Sequence, residues 1–487
     1  MFARPSAASG PWPSAKPDAT HRRAYAEALP EPFWLDRPDR PAERPPLEGK
    51  LDADLVIVGA GLTGLWAALI AAETDPGRKI VLVEAGRIAD GASGRNGGFW
   101  SASLTHGLAN GQARFPEEME TIERLALESF EAGAASLEAH AIDADFERSG
   151  HVSVALAEHE LGWLREEATE YRRFGHEVEL LDGERMRAEV DSPLYLGGMW
   201  DRTGAAMVDP AKLCWGIAAA AERLGVEIHE ATAVSSLESA DGTVRVGTRS
   251  RAGAPGEIRA RGAMLATAAQ RGLVPQIRWR VVPVWDYVLM SEPLSDAQLD
   301  ALGWRGRQGL DDCANRFHYY RLTADNRILW GGYDAIYNFR SANHAGLEQR
   351  ERSFAGLSQR FFTNFPQLEG LRFSHRWGGA IDTCSRFFSF QGLALGGRVA
   401  YSVGHTGLGV GASRFGAEVA LDMLAGRETE ATRLRVQRSK PIPFPPEPLR
   451  WGAIELTRNR LAAADRRSGE RGLWLRALDR LGLGFDS

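Results

Sequence analysis

The chain has 487 residues, of which 44% are hydrophobic and 25% are charged, and its formal net charge at pH 7 is -6. This length allows two or three structural units with sizeable cores, and the composition excludes wholesale disorder. The 58 lysines and arginines are scattered and form no basic stripe, so nucleic acid is not expected as a partner.

Cysteine usage and hydropathy favour a cytoplasmic protein. Cys214, Cys313 and Cys384 are spaced too far apart for a disulfide framework or a zinc site, so we expect a reducing compartment and no metal. No apolar run reaches the roughly 18 residues that span a bilayer. No apolar segment follows Arg22 and Arg23, so no export signal is expected.

Residues 1–50 are rich in proline, alanine, arginine and aspartate, with little periodicity. The proline-rich residues 41–46 continue neither a helix nor a central strand, which predicts an extended arm. Its apolar residues 32–35 are expected to pack onto the body of the protein rather than to bind a ligand.

A sharp change of pattern follows this arm. Residues 55–58 predict a buried strand, residues 62–73 a helix, and residues 80–83 a second buried strand. A strand, a helix and a strand within about 30 residues make a parallel βαβ unit of the Rossmann type.

Later segments are predicted to add further strands and helices to the domain that contains this unit. Residues 209–224 predict a helix, 225–229 a strand and 399–403 another strand, which runs into glycine-rich residues 404–409 and a helix to about Leu424. The domain that contains this βαβ unit is therefore expected to be discontinuous.

Between these segments lies a second kind of pattern. Residues 117–140 and 155–174 have helical spacing, whereas 281–290 and 316–333 are β-branched and aromatic, as in strands. The predicted fold class is α/β, α+β overall, with a Rossmann-type cofactor-binding domain and a second mixed-sheet substrate domain. The predicted limits are 1–50 for the arm, 51–110, 200–275 and 375–430 for the cofactor domain, 111–199 and 276–374 for the substrate domain, and 438–487 for a helical C-terminal tail.

The turn after the first strand carries a dinucleotide-binding pattern. Gly59, Gly61 and Gly64 match G-x-G-x-x-G between a strand and a helix, and Glu84 follows at the end of the next strand. The glycines allow a tight turn, close approach of a pyrophosphate and close helix packing. The Glu84 carboxylate would bind a ribose diol and repel a 2′-phosphate, so the pattern favours FAD or NAD over NADP.

The glycine-rich loop 91–98 favours FAD over NAD. Four glycines with Ser93, Arg95 and Asn96 can follow an extended cofactor and offer backbone N–H groups, a hydroxyl and a guanidinium. A flexible surface loop is the alternative.

These segments, together with residues 265–268 and 404–409, resemble the D-amino-acid oxidase/glycine oxidase superfamily and are most similar to γ-glutamylputrescine oxidase-like members. The resemblance covers roughly residues 52–426. It implies a flavin between the cofactor domain and a sheet of the second domain, with residues 406–409 near the flavin O2 region. The predicted cofactor-binding residues are Gly59, Gly61, Leu62, Thr63, Gly64, Glu84, Ala85, Ser93, Gly94, Arg95, Asn96, Gly97, Gly98, Thr267, Gly404, His405, Thr406, Gly407, Leu408 and Gly409.

Three details refine this expectation. Many relatives have histidine where this chain has Leu408, so a substrate role at that position is not carried over. Cys384 is displaced from the position at which some sarcosine oxidase relatives attach flavin, so we expect noncovalent FAD. A second dinucleotide fingerprint is missing, so nicotinamide is not the expected reductant.

The resemblance implies oxidation of a C–N bond in a small amine or amino acid by hydride transfer, giving an imine that hydrolyses. The electron acceptor, oxygen or another, stays open, as does the oligomeric state. A non-amine donor such as a 2-hydroxy acid is one alternative, and a noncatalytic flavoprotein subunit is another.

The substrate site is the least determined part of the sequence. Desolvation by aromatic residues would favour the free amine, and Trp285, Tyr287, Tyr319, Tyr320, Tyr333 and Trp377 are available. Strand alternation puts Arg316, His318 and Tyr320 on one face, which is either a substrate face or an ordinary solvated one. The predicted substrate-binding residues are Arg316, His318, Tyr320 and Trp377, and His405 and His318 are the catalytic candidates.

Overall fold

A computed structural model describes residues 11–13, 15–270 and 272–483, apart from the side chain of Tyr333. The beginning of the predicted arm and the last residues of the predicted tail lie outside these ranges. The helices are α1 Ala19–Ala24, α2 Leu62–Thr74, α3 Leu108–Arg114, α4 Met119–Ala139, α5 Glu160–Arg173, α6 Gly183–Glu189, α7 Pro210–Arg223, α8 Pro275–Arg278, α9 Asp296–Leu302, α10 Glu351–Asn364, α11 Gly409–Leu424, α12 Glu430–Arg433, α13 Arg435–Arg438, α14 Leu449–Asp465 and α15 Leu473–Arg480. The strands are β1 Gly49–Val58, β2 Ile80–Val83, β3 Phe99–Ser101, β4 His151–Ala155, β5 Val178–Asp182, β6 Gly197–Asp201, β7 Ala205–Met207, β8 Glu227–His229, β9 Thr232–Ala240, β10 Thr243–Ser250, β11 Pro255–Leu265, β12 Val282–Ser291, β13 Gly309–Asp312, β14 His318–Leu322, β15 Ile328–Tyr337, β16 Phe373–Thr383, β17 Phe390–Ala394 and β18 Val399–Val403.

The first large sheet has the order β17-β18-β11-β1-β2-β8, and the β9-β10 hairpin joins it along β11. Strands β1, β2, β8, β11 and β18 pair in parallel. The predicted βαβ unit is confirmed as β1-α2-β2. Strand β1 begins before the predicted residue 55 because it also pairs with β11 from Gly49 onward.

The two predicted additions to this sheet are also confirmed. Helix α7 begins after Asp209, whose carboxylate caps it by accepting from the amides of Ala211 and Lys212. Strands β8 and β18 join the sheet, and α11 follows β18. Buried side chains of α2, α7 and α11 form one core with β1 and β2. Distant segments of the chain therefore build a single layered unit.

The second large sheet has the order β16-β12-β15-β14-β13-β4-β6-β5, and only its β13-β4 pair is parallel. Its core packs against α6, α9 and α10. Two of the predicted domain limits, residues 200 and 375, fall inside β6 and β16 of this sheet. The division into domains stays a prediction.

The predicted strands 281–290 and 316–333 correspond to β12 and to β14 with β15, and α4 matches the predicted helix 117–140. The helix predicted from residue 155 begins only at Glu160, because residues 151–155 form strand β4. The described part of the helical tail predicted over 438–487 contains two helices, α14 and α15, which are separated by a turn.

The arm packs on the body as predicted. Trp34 is 2% exposed, and its Nε1 donates to the Asn96 carbonyl at 2.9 Å. The described part of the arm contains a short helix, α1, which is capped by Asp18. Among the described residues, no helix combines the length and the apolar character that crossing a membrane requires.

Candidate functional site

The turn between β1 and α2 lies in a channel that we call the Glu84 channel. Gly59 has φ +106 and lies against the Ala266 carbonyl, where a Cβ would come 2.5 Å from the oxygen. A Cβ on Gly64 would overlap the Gly59 carbonyl oxygen. The first helical turn can therefore approach the sheet only with glycine at these positions. Gly61 lies between them and lines the channel.

Glu84 is held by the backbone of the same turn. Its carboxylate accepts from the amides of Ala60 and Gly86, each at 2.8 Å. Burial raises the pKa of Glu84, and these two hydrogen bonds act in the opposite direction. The carboxylate is thus fixed beside the glycine turn, with Ala85 next to it in the channel lining.

The channel also contains polar groups that lack a partner in the described structure. They are the Thr267 hydroxyl and the Trp285 indole N–H, both buried in its lining. Buried polar groups are nearly always hydrogen-bonded in a functioning protein. The channel is therefore suited to a long ligand with polar groups along its length.

The loop 91–98 joins this channel to a second cavity. Ser93 Oγ accepts from the Leu62 amide at 2.9 Å, and Asn96 Nδ2 donates to the Ser93 carbonyl at 2.9 Å. Arg95 forms an ion pair with Glu348, with 2.8 Å between Nη1 and Oε2. Its Nε donates to the Asp90 carbonyl at 2.8 Å. The loop is therefore ordered by its own polar side chains.

Gly94 and Gly98 shape this loop without lining either space. A Cβ on Gly94 would overlap the Ala89 carbonyl oxygen, and one on Gly98, where φ is +75, would overlap that of Val208. Trp377 is fully buried beneath the loop, and its Nε1 donates to the Arg95 carbonyl at 2.9 Å. Trp377 is thus placed to support the loop, away from the predicted substrate contact.

The second space, which we call the Tyr319 cavity, has a volume of about 330 Å³. It shares part of its lining with the Glu84 channel, namely Ala92, Ser93, Arg95, Ala268, Gly379 and Ala380. Much of the remaining wall is apolar or aromatic, with Leu62, Phe99, Trp100, Val288, Phe317 and Tyr319. Channel and cavity together form one long site between the two sheets.

Residues 405–409 form one wall of the Tyr319 cavity, with Thr63 beside them. The Asp382 carboxylate accepts from the Gly404 amide at 2.7 Å and lies 3.1 Å from His405 Nδ1. His405 Nε2 lies 3.4 Å from Thr63 Oγ1. The end of β16 therefore orients the His405 ring and the backbone that follows it.

Asp286 is the buried carboxyl group of the cavity lining on β12. The Tyr319 hydroxyl donates to its Oδ2 at 2.5 Å, and the Tyr287 amide donates to Oδ1 at 2.8 Å. Burial raises the pKa of Asp286 to about 8, although both hydrogen bonds act to lower it. The group can therefore change its charge near neutral pH.

Cations that could face this carboxyl are already paired. Among the described residues that line the cavity, Arg95 is the only arginine or lysine, and it pairs with Glu348. Burial lowers the pKa of His106 to about 4, so this lining histidine is neutral. His151 lies 3.4 Å from Asp311. The cavity therefore offers more to a cationic ligand than to an anionic one.

Comparison with known proteins decides the family. The family model described as FAD dependent oxidoreductase (DAO) matches residues 54–423, which include the whole site and both sheets apart from the first five residues of β1. The chain belongs to the DAO family of FAD-dependent oxidoreductases.

Relatives agree with this assignment. The chain is 31% identical over 408 residues to gamma-glutamylputrescine oxidoreductase of Escherichia coli, covering 82% of this chain and 89% of the relative. It is 27% identical over 413 residues to the probable oxidoreductase OrdL of Haemophilus influenzae, covering 83% and 90%. The resemblance expected from the sequence is confirmed.

Solved structures confirm the fold class. Glycine oxidase from Geobacillus kaustophilus is similar with a TM-score of 0.63 at 20% identity, over 78% of this chain and 96% of that one. L-proline dehydrogenase from P. horikoshii gives 0.63 at 18% identity, over 80% and 96%.

In this member of the DAO family, the Glu84 channel and the Tyr319 cavity together fit FAD. Of the predicted cofactor residues, Gly59, Gly61, Glu84, Ala85 and Thr267 line the channel. Leu62, Thr63, Asn96, Gly97, His405, Thr406, Gly407, Leu408 and Gly409 line the cavity, and Ser93 and Arg95 line both. Gly64, Gly94, Gly98 and Gly404 act on the packing and course of the backbone around them.

The structure does not bring the predicted substrate face of β14 to this site. His318 and Tyr320 are buried on the other side of the sheet. The Tyr320 hydroxyl lies 2.8 Å from that of Tyr195. Arg316 pairs with Asp334, with 2.5 Å between Nη2 and Oδ1. Both alternatives predicted for this face, a substrate face and a solvated face, are wrong, because apolar side chains of α10 cover it.

His318, predicted as a catalytic candidate, takes part in a buried polar cluster instead. Its Nδ1 lies 2.7 Å from Asp312 Oδ2, and Arg360 Nη1 lies 3.1 Å from its Nε2. Burial lowers the pKa of His318. The face of β14 that meets the cavity is the opposite one, with Phe317 and Tyr319.

Asp286 is the buried cavity-lining carboxyl group on β12 that sequence reasoning missed. It is the one charged residue among the ten of β12, all of which are buried. Burying a lone charge is costly unless it is paired or functional, so this departure from the apolar pattern was the available signal. Its partner Tyr319, in contrast, is among the aromatic residues expected near the substrate.

Proposed function

We propose that this FAD-dependent oxidoreductase oxidises a C–N bond in a small amine or amino acid, giving an imine that water hydrolyses. The supporting observation is the character of the Tyr319 cavity, which continues the Glu84 channel and contains a buried carboxyl group. Its arginine is neutralised by Glu348. One relative is named for gamma-glutamylputrescine, which agrees with an amine donor.

The proposal gives the protein three tasks. Bound flavin supplies a hydride acceptor. The aromatic walls at Phe99, Phe317 and Tyr319 exclude water and favour the uncharged amine over the ammonium ion. Asp286 supplies the counter-charge with which an ammonium group enters the cavity.

We propose further that FAD is bound noncovalently. Cys384 is fully buried, lies outside the residues that line the channel and the cavity, and its Sγ donates to the Phe388 carbonyl at 3.1 Å. Burial also raises the pKa of this thiol, which disfavours the nucleophilic thiolate. Denaturing the holoenzyme with acid should release the flavin into the supernatant, whereas flavin that stays in the protein pellet would contradict this proposal.

A donor screen tests the proposed function. The purified holoenzyme is mixed anaerobically with primary amines, N-methyl amines, amino acids and 2-hydroxy acids, while the flavin absorbance at about 450 nm is followed. We expect bleaching by amines. Bleaching by 2-hydroxy acids alone would replace the proposal by oxidation of a non-amine donor, and bleaching by no donor would favour a noncatalytic subunit.

The same screen in air identifies the electron acceptor. Peroxide formed in proportion to the amine consumed indicates an oxidase. Turnover that appears only with an added artificial acceptor indicates a dehydrogenase, and dithionite serves in both cases as the control that the flavin can be reduced.

A further inference from the structure

We propose that Asp286 binds the ammonium group of the substrate and accepts its proton, and that Tyr319 and Gly331 are positioning residues for this carboxylate. The inference rests on the proposed function, because it names the residue that prepares the amine for oxidation. Three features of the second sheet carry it: the placement of Asp286, the path of the Tyr319 side chain, and the charges around the pair.

The strand pairing turns Asp286 toward the cavity. On one side, β12 pairs regularly with β16, and Asp286 lies opposite Gly379, which lines both channel and cavity. On the other side the register with β15 shifts, so that residues 333–335 bulge opposite Asp286. Ala335 has φ 51 within this bulge. Bulges beside active sites commonly redirect a side chain in this way.

Tyr319 reaches Asp286 by crossing the strand between them. Strands β14 and β12 are both neighbours of β15, and Tyr319 pairs in register with Gly331 of β15. A Cβ on Gly331 would overlap the Tyr319 ring, so only glycine lets the ring lie across this strand. The hydroxyl then arrives 2.5 Å from Asp286 Oδ2. Tyr319 and Asp286 thus meet across Gly331, where any side chain would block the Tyr319 ring.

The carboxylate keeps an acceptor position for a substrate. Its two oxygens have four acceptor positions, and the Tyr319 hydroxyl, the Tyr287 amide and the Asp334 backbone N–H occupy three of them. An ammonium N–H can donate to the remaining position, and the proton then passes from nitrogen to the carboxylate oxygen. The N–H bond breaks, an O–H bond forms, and the amine keeps the electron pair that the C–N double bond requires.

The charged and titratable groups around Asp286 fix the expected pH dependence. From β14, the Tyr319 hydroxyl lowers the pKa of Asp286. From β15, the charge of Asp334 raises this pKa, whereas the Asp334 backbone hydrogen bond lowers it. From the loop, the side chain of Arg95 packs over Gly379, but its charge is paired with Glu348. Burial is the largest influence and raises the pKa to about 8.

Binding of an amine that cannot be oxidised tests the proposal without turnover. The carbon of tert-butylamine has no hydrogen to lose, and the amine stays cationic between pH 6 and 9, since its pKa resembles that of lysine at about 10.4. Its affinity for the holoenzyme is measured by titration calorimetry. We expect the affinity to rise about tenfold per pH unit as Asp286 ionises, and to level off near the Asp286 pKa of about 8.

Two variants test whether Asp286 and Tyr319 cause this pH dependence of binding. Asp286→Asn should bind tert-butylamine weakly and with an affinity that no longer rises between pH 6 and 8. Tyr319→Phe removes a hydrogen bond that favours the carboxylate, so the rise should move to higher pH. Tyr320→Phe is the matched control, because its hydroxyl is on the opposite face with Tyr195, and it should keep the wild-type profile.

Flavin reduction then separates proton acceptance from simple binding. Without Asp286, the reacting species must come from solution as free amine, so in Asp286→Asn the reduction rate should keep rising toward about pH 10 instead of levelling near pH 8. Equal FAD content and equal reduction by dithionite confirm that the variant is intact.

The outcomes are distinct for the two proposals. If the wild-type flavin is bleached by no amine, the proposed function fails. If amines bleach it but Asp286→Asn keeps the wild-type pH profiles of binding and reduction, only the role of Asp286 is overturned. If the binding profile changes while the reduction profile does not, Asp286 is an anchor and the proton-accepting role is wrong.

Discussion

At the scale of single residues, Glu84 connects the backbone of the glycine turn to the expected cofactor. Its two oxygens each accept one backbone N–H, from Ala60 and Gly86. Each oxygen keeps an acceptor position for a ribose hydroxyl. The same carboxylate thus stabilises the turn, and we propose that it also binds the ribose of FAD.

Replacing Glu84 with alanine should weaken FAD binding about 10- to 100-fold, because hydrogen bonds to a charged group contribute roughly 1.5–3 kcal/mol. The change is measured by titrating apoprotein with FAD and following flavin fluorescence. Glu227→Ala is the control, since Glu227 is exposed on β8 and bonds only to His229 in the described structure. Equal FAD affinity in Glu84→Ala and wild type would contradict the ribose-binding role.

At the scale of elements, the close approach of α2 to the sheet is decided by one glycine. A Cβ on Gly64 would overlap the Gly59 carbonyl oxygen and would also lie 3.4 Å from the Ala266 Cβ. Both neighbours belong to segments that line the Glu84 channel, and backbone cannot move aside as a flexible side chain can. The start of α2 and the shape of the Glu84 channel therefore depend on the same contact.

Gly64→Ala should lower both the free energy of unfolding and the FAD content, because α2 must shift away from β1. Overpacking of this kind typically costs about 1–3 kcal/mol. Gly356→Ala in α10 is the matched control: a Cβ there meets no atom within 4 Å. Since alanine is the better helix former, this control should stabilise the protein by up to about 1 kcal/mol. Thermal unfolding and the flavin-to-protein absorbance ratio measure the two effects.

A buried histidine links three further elements. His176 precedes β5, and its Nδ1 lies 3.0 Å from Asp201 of β6, while its Nε2 lies 3.7 Å from Glu123 of α4. Burial lowers the pKa of His176, but the two carboxylates outweigh this effect and raise it to about 9. The pairing therefore stabilises the fold while the ring carries a proton.

The stability contributed by His176 should depend on pH with a defined sign. Its pKa in the folded protein exceeds the ordinary 6.5, so the contribution is complete below about pH 6.5 and is lost as the pH rises through about 9. Urea unfolding should show that the free energy of unfolding of the wild type falls between pH 6 and pH 9.5. This fall should be smaller in His176→Gln. His229→Gln, which removes a histidine beside the exposed Glu227, should lose as much unfolding free energy between these pH values as the wild type. An equal loss in His176→Gln would contradict the role of His176.

At the scale of the whole molecule, the arm connects the N-terminal region to the centre of the site. Arg37 pairs with Asp209 at the start of α7, and Arg44 pairs with Glu222 near its end. Trp34 donates to the carbonyl of Asn96 in the loop that joins channel and cavity. The arm is thus part of the packed structure and supports the loop from behind.

Trp34→Ala should lower the free energy of unfolding by about 3 kcal/mol, in the range of large-to-small changes in a core. It should also weaken FAD binding, since the Asn96 carbonyl loses its donor. Trp451→Ala is the control, because Trp451 is 44% exposed and its loss should change stability by no more than about 0.5 kcal/mol. Denaturant unfolding and FAD titration measure both quantities; a loss of stability with unchanged FAD affinity would limit the arm to a structural role.

The sequence alone determined the parts of this protein that depend on local spacing. The apolar strands and the glycines at 59, 61 and 64 lie close together in the chain, and the strand–helix–strand unit that they predict is the observed β1-α2-β2. The cofactor-binding roles of Glu84 and of the segments 91–98 and 404–409 stay predictions. The family and the fold class follow from these segments.

The tertiary structure decided which face of the second sheet meets the cavity. Strand alternation correctly placed His318 and Tyr320 on the face opposite to that of Tyr319. It does not predict which of the two faces meets the cavity. That choice depends on α10 covering one side and on the loop 91–98 covering the other. The pairing of Asp286 with Tyr319 over Gly331 depends likewise on the order of three strands, which local spacing does not contain.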